Sequence, residues 1–184
     1  MTEPPPQRSL TIPLMIFGFP STHRFLFASV VLTSFVILPQ SGAAAQGGLA
    51  AQAASQIVEG CVAHARTKGQ SHAIAVYDDG GHLVAYLRMD GNSPGVGAFA
   101  MQKGAAVAHW RFSTAAMANS VKETPGFANA PHVVTVAGGI PVFSKDGKQF
   151  LGAVGVSGEA AHDDAACAEA GVKAAGLSPS RASR

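Results

Sequence analysis

The 184-residue sequence predicts an α+β domain, an antiparallel sheet of about five strands covered by helices. Three observations carry that expectation. Apolar residues recur at helical spacing over 49–68, 98–112 and 159–175. Two strand-like stretches fold back on themselves around glycine-containing turns, one at Asp79-Gly80-Gly81 and one at Ser144–Lys148. The runs then follow in the order helix, two strands, helix, three strands, helix.

The elements are justified in turn. In 49–68, Ala53, Ile57, Cys61 and Ala65 share one stripe with Val58 and Val62 beside it, and Gly69 supplies a stop. Residues 73–79 and 82–89 alternate. One face collects Ile74, Val76, Leu83, Ala85, Leu87 and Met89 for a core, and the other collects Tyr77, His82, Tyr86 and Arg88. Gly91–Gly95 is a loop, 98–112 a helix and 115–122 a shorter one. Residues 123–131 are a loop, Val133–Ala137 a strand, and 140–143 with 149–157 a second hairpin. In the last helix Asp163 and Asp164 occupy the first turns, as the helix dipole favours, and Ser157 is positioned to cap it.

Composition narrows the function. Charged residues make up only 13% of the chain and the formal net charge is +2, too little to neutralise many phosphates, so nucleic acid is not expected as a partner. A hydrophobic content of 47% excludes a disordered chain. Two cysteines without a C-x-x-C spacing give no zinc ribbon, and the histidines lack H-x-x-x-H or H-E-x-x-H spacing. No P-loop or dinucleotide fingerprint is present.

Residues 1–45 differ from the rest. Arg24 precedes the uncharged run Phe25–Leu38, and Ala43-Ala44-Ala45 ends the segment. This is the pattern of a signal peptide cleaved after Ala45, with Met15 as an alternative start, and it is short of the roughly 20 apolar residues of a membrane anchor. The expected organisation is a signal peptide over 1–45, one domain over 46–178 and a tail over 179–184. The expected location is periplasmic or secreted, without a stable membrane span after cleavage.

Val76-Tyr-Asp-Asp-Gly-Gly81, Arg88-Met-Asp-Gly91, Lys103 with Ala108, Thr114, Gly138-Gly-Ile-Pro141, Asp146-Gly147 and Gly152-Ala-Val-Gly-Val-Ser-Gly158 followed by Asp163/Asp164 resemble, in this order, the GlcG/HbpS-like family. This is the haem-degrading domain family, related to the C-terminal domain of corrinoid adenosyltransferases. The resemblance spans about Leu49 to Gly176. It implies a profilin-like fold, a homo-oligomer, and haem or iron binding in some members. It also implies terminal helices on one face of the sheet, which would bring Cys61 and Cys167 near each other, either bridged or as two buried thiols on different stripes.

Haem needs an apolar face, an iron ligand and cations for its propionates. The candidate cofactor-binding residues are His64, Arg88, Lys103, His109, Arg111, Phe112 and Thr114, with His64 and His109 as the candidate iron ligands. His64 is preferred over His109 because it lies near the apolar stripe of the first helix. Arg88 ends a strand and offers a bidentate guanidinium, or else a structural contact. Lys103 sits on an apolar helix, which suggests the interior or an interface, although a snorkelling lysine is commoner. His109 falls about 120° round the helix from it. Trp110 and Phe112 could stack on a porphyrin, although their plainer reading is as core residues of an aromatic-poor chain. Thr114 matches the family's threonine after the central helix.

The expected function is an exported haem-binding protein, for scavenging, buffering or delivery. The alternatives are an enzyme degrading haem or transforming a small carboxylate, and a structural oligomer without cofactor.

Overall fold

A computed structural model describes residues 48–183, so the expected signal peptide over 1–45 lies outside the described residues. The described part holds helix α1 (Ala51–Lys68), strands β1 (Ala73–Asp78) and β2 (Leu83–Arg88), helices α2 (Pro94–Trp110) and α3 (Thr114–Glu123), a 3-10 turn (Pro125–Asn129), strands β3 (Gly139–Phe143) and β4 (Phe150–Ser157), and helix α4 (Ala161–Ala174). The sheet is antiparallel throughout, in the order β2-β1-β4-β3.

The expected α+β class holds, with four strands rather than five among the described residues. Val133–Ala137 is not a strand. His132 enters it from the left-handed region at φ 60 and Gly138 leaves it at φ 123. Pairing with β4 begins only at Gly138, whose carbonyl accepts the Val156 N–H at 2.9 Å. β1 and β3 already occupy the two edges of β4. Val133 and Val134 pack instead against the α2 side of the sheet.

The first hairpin turns through Asp79–Gly81, with Gly81 at φ 81. The Asp78 carboxylate accepts the N–H groups of Gly80 and His82 at 3.0 and 2.8 Å. An extra residue on β2 shifts the register, so Val76 faces Ala85 while Tyr77 faces Leu83. Leu83 therefore leaves the core face assigned to it and is 47% exposed; Leu87 keeps its side but is exposed because β2 is an edge.

Two layers sandwich the sheet. α1 and α4 cover the face built from Ile74, Val76, Ile140, Val142, Val154 and Val156. α2 covers the other, where Ala75, Tyr77 and Ala153 point. The second layer sits unusually close. A Cβ on Gly155 would run into the Ala100 carbonyl and the Gly104 backbone, so glycine at that position lets α2 rest on β4. α1 and α4 approach through Gly60 and Gly171 and are joined by a Cys61–Cys167 disulfide, which resolves the open alternative in favour of the bridge. Ser157 does not cap α4. Ala160 occupies the N-cap without a side-chain bond, while Asp164 in the first turn accepts the Glu159 N–H at 3.1 Å.

Candidate functional site

α2 carries two chemically different sets of residues. Its inward stripe holds Ala100, Lys103, Gly104 and Val107. Lys103 is 1% exposed and lies where a large apolar residue would be expected. Its ammonium donates to Asp164 Oδ2 at 2.8 Å and to the Val156 carbonyl at 3.0 Å, and stands 4.8 Å from the Phe99 ring centre. Asp164, 2% exposed, uses Oδ1 to accept from Glu159 N–H and meets His72 Nδ1 at 3.1 Å. His72 is fully buried, and its Nε2 has no partner among the described residues. Gly138 makes room for the group: a Cβ there would stand 2.8 Å from the Lys103 ammonium. A Lys–Asp–His cluster thus ties α2, β4, α4 and the start of β1 together at one end of the sheet.

The C-terminal end of α2 is the opposite case. His109, Trp110, Arg111 and Phe112 emerge there onto a wet surface. Arg111 ends the helix in the left-handed region at φ 61, where glycine is usual. The His109 Nδ1 lies 2.8 Å from the Ala105 carbonyl. A carbonyl only accepts, so Nδ1 is the donor, and in the neutral ring Nε2 is the nitrogen that carries the lone pair. The His109 ring stacks on His132 with centroids 4.0 Å apart. Trp110 is 37% exposed and donates Nε1–H to the Pro131 carbonyl at 2.9 Å. Its ring meets Phe127 edge-on at 4.9 Å, and Phe112 and Phe127 lie nearly parallel at 6.3 Å. The three aromatics, with Ser120, Glu123 and Thr124, wall a cavity of about 320 Å³. The core reading of Trp110 is thereby corrected, since it forms a half-open aromatic corner; Phe112 lines that corner while packing against the core on the α2 side.

The remaining expected site residues lie elsewhere. Thr114 is buried in the first turn of α3, its Oγ1 accepting the Gly139 N–H at 3.0 Å, while Ser113 provides the helix cap. Arg88 sits at the end of the edge strand, braced on the Asn92 carbonyl, and lines a separate groove of about 410 Å³ with Arg66 and Met89. His64 belongs to α1, on the face of the sheet opposite α2. Its Nε2 is buried and has no hydrogen-bond partner among the described residues. The structure thus brings Arg111 and Phe112 to one cavity and sets His109 against His132 at the same end of α2, apart from His64, Arg88 and Lys103.

Sequence reasoning missed the pairing of His72 with Asp164. A signal existed: Asp164 falls one helical turn before Cys167 and Ala168, on the buried stripe of α4. Phe127 and His132 were also missed, because each meets its partner only across the loop that follows α3.

Comparison with known proteins fits this architecture. The family profile described as "Haem degrading protein HbpS-like" matches residues 49–173. Protein GlcG of Escherichia coli (strain K12) is 38% identical over 110 residues, 59% of this chain and 81% of that one. The crystal structure of HbpS superposes with a TM-score of 0.63 at 27% identity, covering 68% of this chain and 89% of that one. A PduOC:heme complex shares the fold, with a TM-score of 0.64 at 19% identity over 73% and 99% of the two chains. A profile match across nearly the whole described domain, joined to the GlcG identity, makes this chain a member of the HbpS-like family.

Proposed function

We propose that the chain is an exported haem-binding protein that scavenges, buffers or delivers haem. The observation that carries this reading is the HbpS-like match over residues 49–173. The C-terminal corner of α2 has the chemistry such a ligand needs. Trp110, Phe112 and Phe127 give an apolar aromatic face, Arg111 a cation on the adjoining cavity that Phe112 also lines, and His109, two residues before Arg111 on the chain, an imidazole nitrogen. The Nδ1–H bond to Ala105 supplies the outer contact that orients a metal-bound histidine. His109 is therefore favoured here over His64, whose nitrogen is enclosed. Bound haem would supply iron redox and ligand chemistry, while this chain would hold it and limit its exposure.

Export is supported by the uncharged run before Ala45 and by the Cys61–Cys167 disulfide, a bond that persists in oxidising compartments. Among the described residues no helix is long and apolar enough to cross a membrane. A homo-oligomer completes the reading, with the edge strand β2 and its exposed Tyr86 and Leu87 as the surface for it.

Titration of the mature protein with haemin, followed at the Soret band, tests the proposal. His109→Ala should remove the shifted band and His64→Ala should leave it. The reverse result would move the iron to α1. An unshifted band in the wild type, with protein in excess, would end the haem reading.

A further inference from the structure

Beside the aromatic corner lies a second cavity, of about 360 Å³, with the chemistry of an acid-binding site. Arg111 enters it from the end of α2 and Arg181 from the C-terminal tail, with Phe112, Ser113 and Phe143 among its walls. The two cations rest on one aromatic pair. The Arg111 guanidinium stands 5.2 Å from the Phe150 ring centre and that of Arg181 5.6 Å from the Phe143 ring centre. The two rings meet edge to face at 5.6 Å.

Neither guanidinium has an ion pair or a side-chain hydrogen bond among the described residues. Contact with an aromatic face leaves the N–H donors of a guanidinium available, and their planar fork matches a carboxylate. Glu169, the acidic residue on the lining, is engaged by Lys173 at 3.2 Å. The tail that presents Arg181 is fixed. Ser178 exchanges two backbone hydrogen bonds with Phe143, at 2.8 and 3.1 Å, and Ala182 donates to the Gly147 carbonyl at 2.9 Å. Arg111 keeps its side chain at a left-handed position, where a glycine would be the unstrained choice.

We propose that this cavity grips the carboxylates of a diacid with an apolar body, one carboxylate on Arg111 and one on Arg181. The cavity is too small to enclose a porphyrin but suits its carboxylate arms or a small free diacid. Phe112 lines both cavities, so a haem held by its propionates would extend from here across the aromatic corner. In that form the proposal rests on the haem reading above; for a free diacid it stands without it.

The full mature chain is titrated with haemin and with haemin dimethyl ester, whose propionates are blocked, as wild type, Arg111→Gln, Arg181→Gln and the double variant. Isophthalate, a free aromatic diacid, is titrated calorimetrically against the wild type and the double variant. Each single substitution should weaken haemin binding about tenfold. The ester should bind all four proteins equally and weakly. Equal haemin affinity in the wild type and double variant overturns the proposal and leaves the haem reading standing. No haemin binding, with arginine-dependent isophthalate binding, ends the haem reading and keeps the site for a free diacid. If neither ligand depends on the arginines, the proposal fails. Both arginines are exposed and, among the described residues, hold only ring contacts, so the variants should fold with thermal midpoints only slightly below the wild type.

Discussion

The inward stripe of α2 and its C-terminal end hold the same kinds of side chain, a cation with an imidazole nearby, and use them in opposite ways. Inside, the Lys103 ammonium and the His72 ring both meet Asp164, and Lys103 and Asp164 have hardly any surface left. At the end, among the described residues, the Arg111 guanidinium rests on the Phe150 ring without an ion pair, and His109 bonds through one ring nitrogen. Removing charges from water is costly unless they are paired and hydrogen-bonded. The interior group therefore has to be closed, and it serves to lock elements in place. The surface group bears no such cost and can stay open, and that is what a ligand requires. Lys103, although suggested by its family position, belongs to the locking set.

Breaking the interior cluster should have the largest effect. Lys103→Ala leaves a buried carboxylate facing only His72 and a backbone N–H, and should lower stability by about 3–5 kcal/mol in denaturant unfolding. Lys103→Met with Asp164→Asn should cost less than the sum of the two single changes, since the uncompensated charge is gone. A single-variant loss within about 1 kcal/mol would mean that the cluster is not a lock.

Next comes the bond between α1 and α4. Cys61→Ser with Cys167→Ser should destabilise the domain by about 2–5 kcal/mol, because the bridge closes a long loop in the unfolded chain. Haemin affinity, measured below the unfolding transition, should be unchanged. A parallel fall in affinity would show that the two regions are coupled.

Trp110→Ala sharpens the comparison from the other side. The ring is partly exposed and makes edge contacts with Phe112 and Phe127, so stability should fall by only about 1–2 kcal/mol. Haemin binding, by contrast, should weaken several-fold. A large loss of stability with unchanged binding would return Trp110 to a core role.

The smallest effect concerns the first hairpin. Burial pushes the Asp78 carboxyl up, but the His82 N–H, the His82 ring and the Gly80 N–H outweigh it and hold the group below the usual carboxylate range. Its contribution is therefore present above the unfolded value, near pH 4, and is lost as pH falls through the lower folded value. Asp78→Asn should slightly lower the thermal midpoint at neutral pH, and the difference from wild type should shrink in acid. A difference that grows on acidification would reverse the sign and discard this account.

Much of this was legible in the sequence because it depends on local periodicity. The α1 stripe through Ile57, Cys61 and Ala65, its glycine stop and the two hairpins all follow from spacing and turn chemistry, and each recurs in the structure. The order of the motifs likewise identified the family over the span that its profile matches. Val133–Ala137 misled because its valines have strand character, but both edges of β4, the strand it runs towards, are taken by β1 and β3. Leu83 misled because one extra residue on β2 reverses its side, and alternation alone does not reveal a bulge.

The sequence by itself determined the class of the domain, its helices, its hairpins and its family, since these arise from neighbours a few residues apart. Only the tertiary structure decided which polar residues are closed and which are open. Lys103 and His109 stand six positions apart on one helix; the first meets Asp164 through the packing of α4, and the second meets His132 through a turn beyond α3. Burial and pairing are properties of contacts between distant segments, and no local pattern encodes them. Arg111 and Arg181 converge on one cavity for the same reason. The Phe143–Phe150 pair and the Ser178 bridge bring the end of α2 and the tail to a common place.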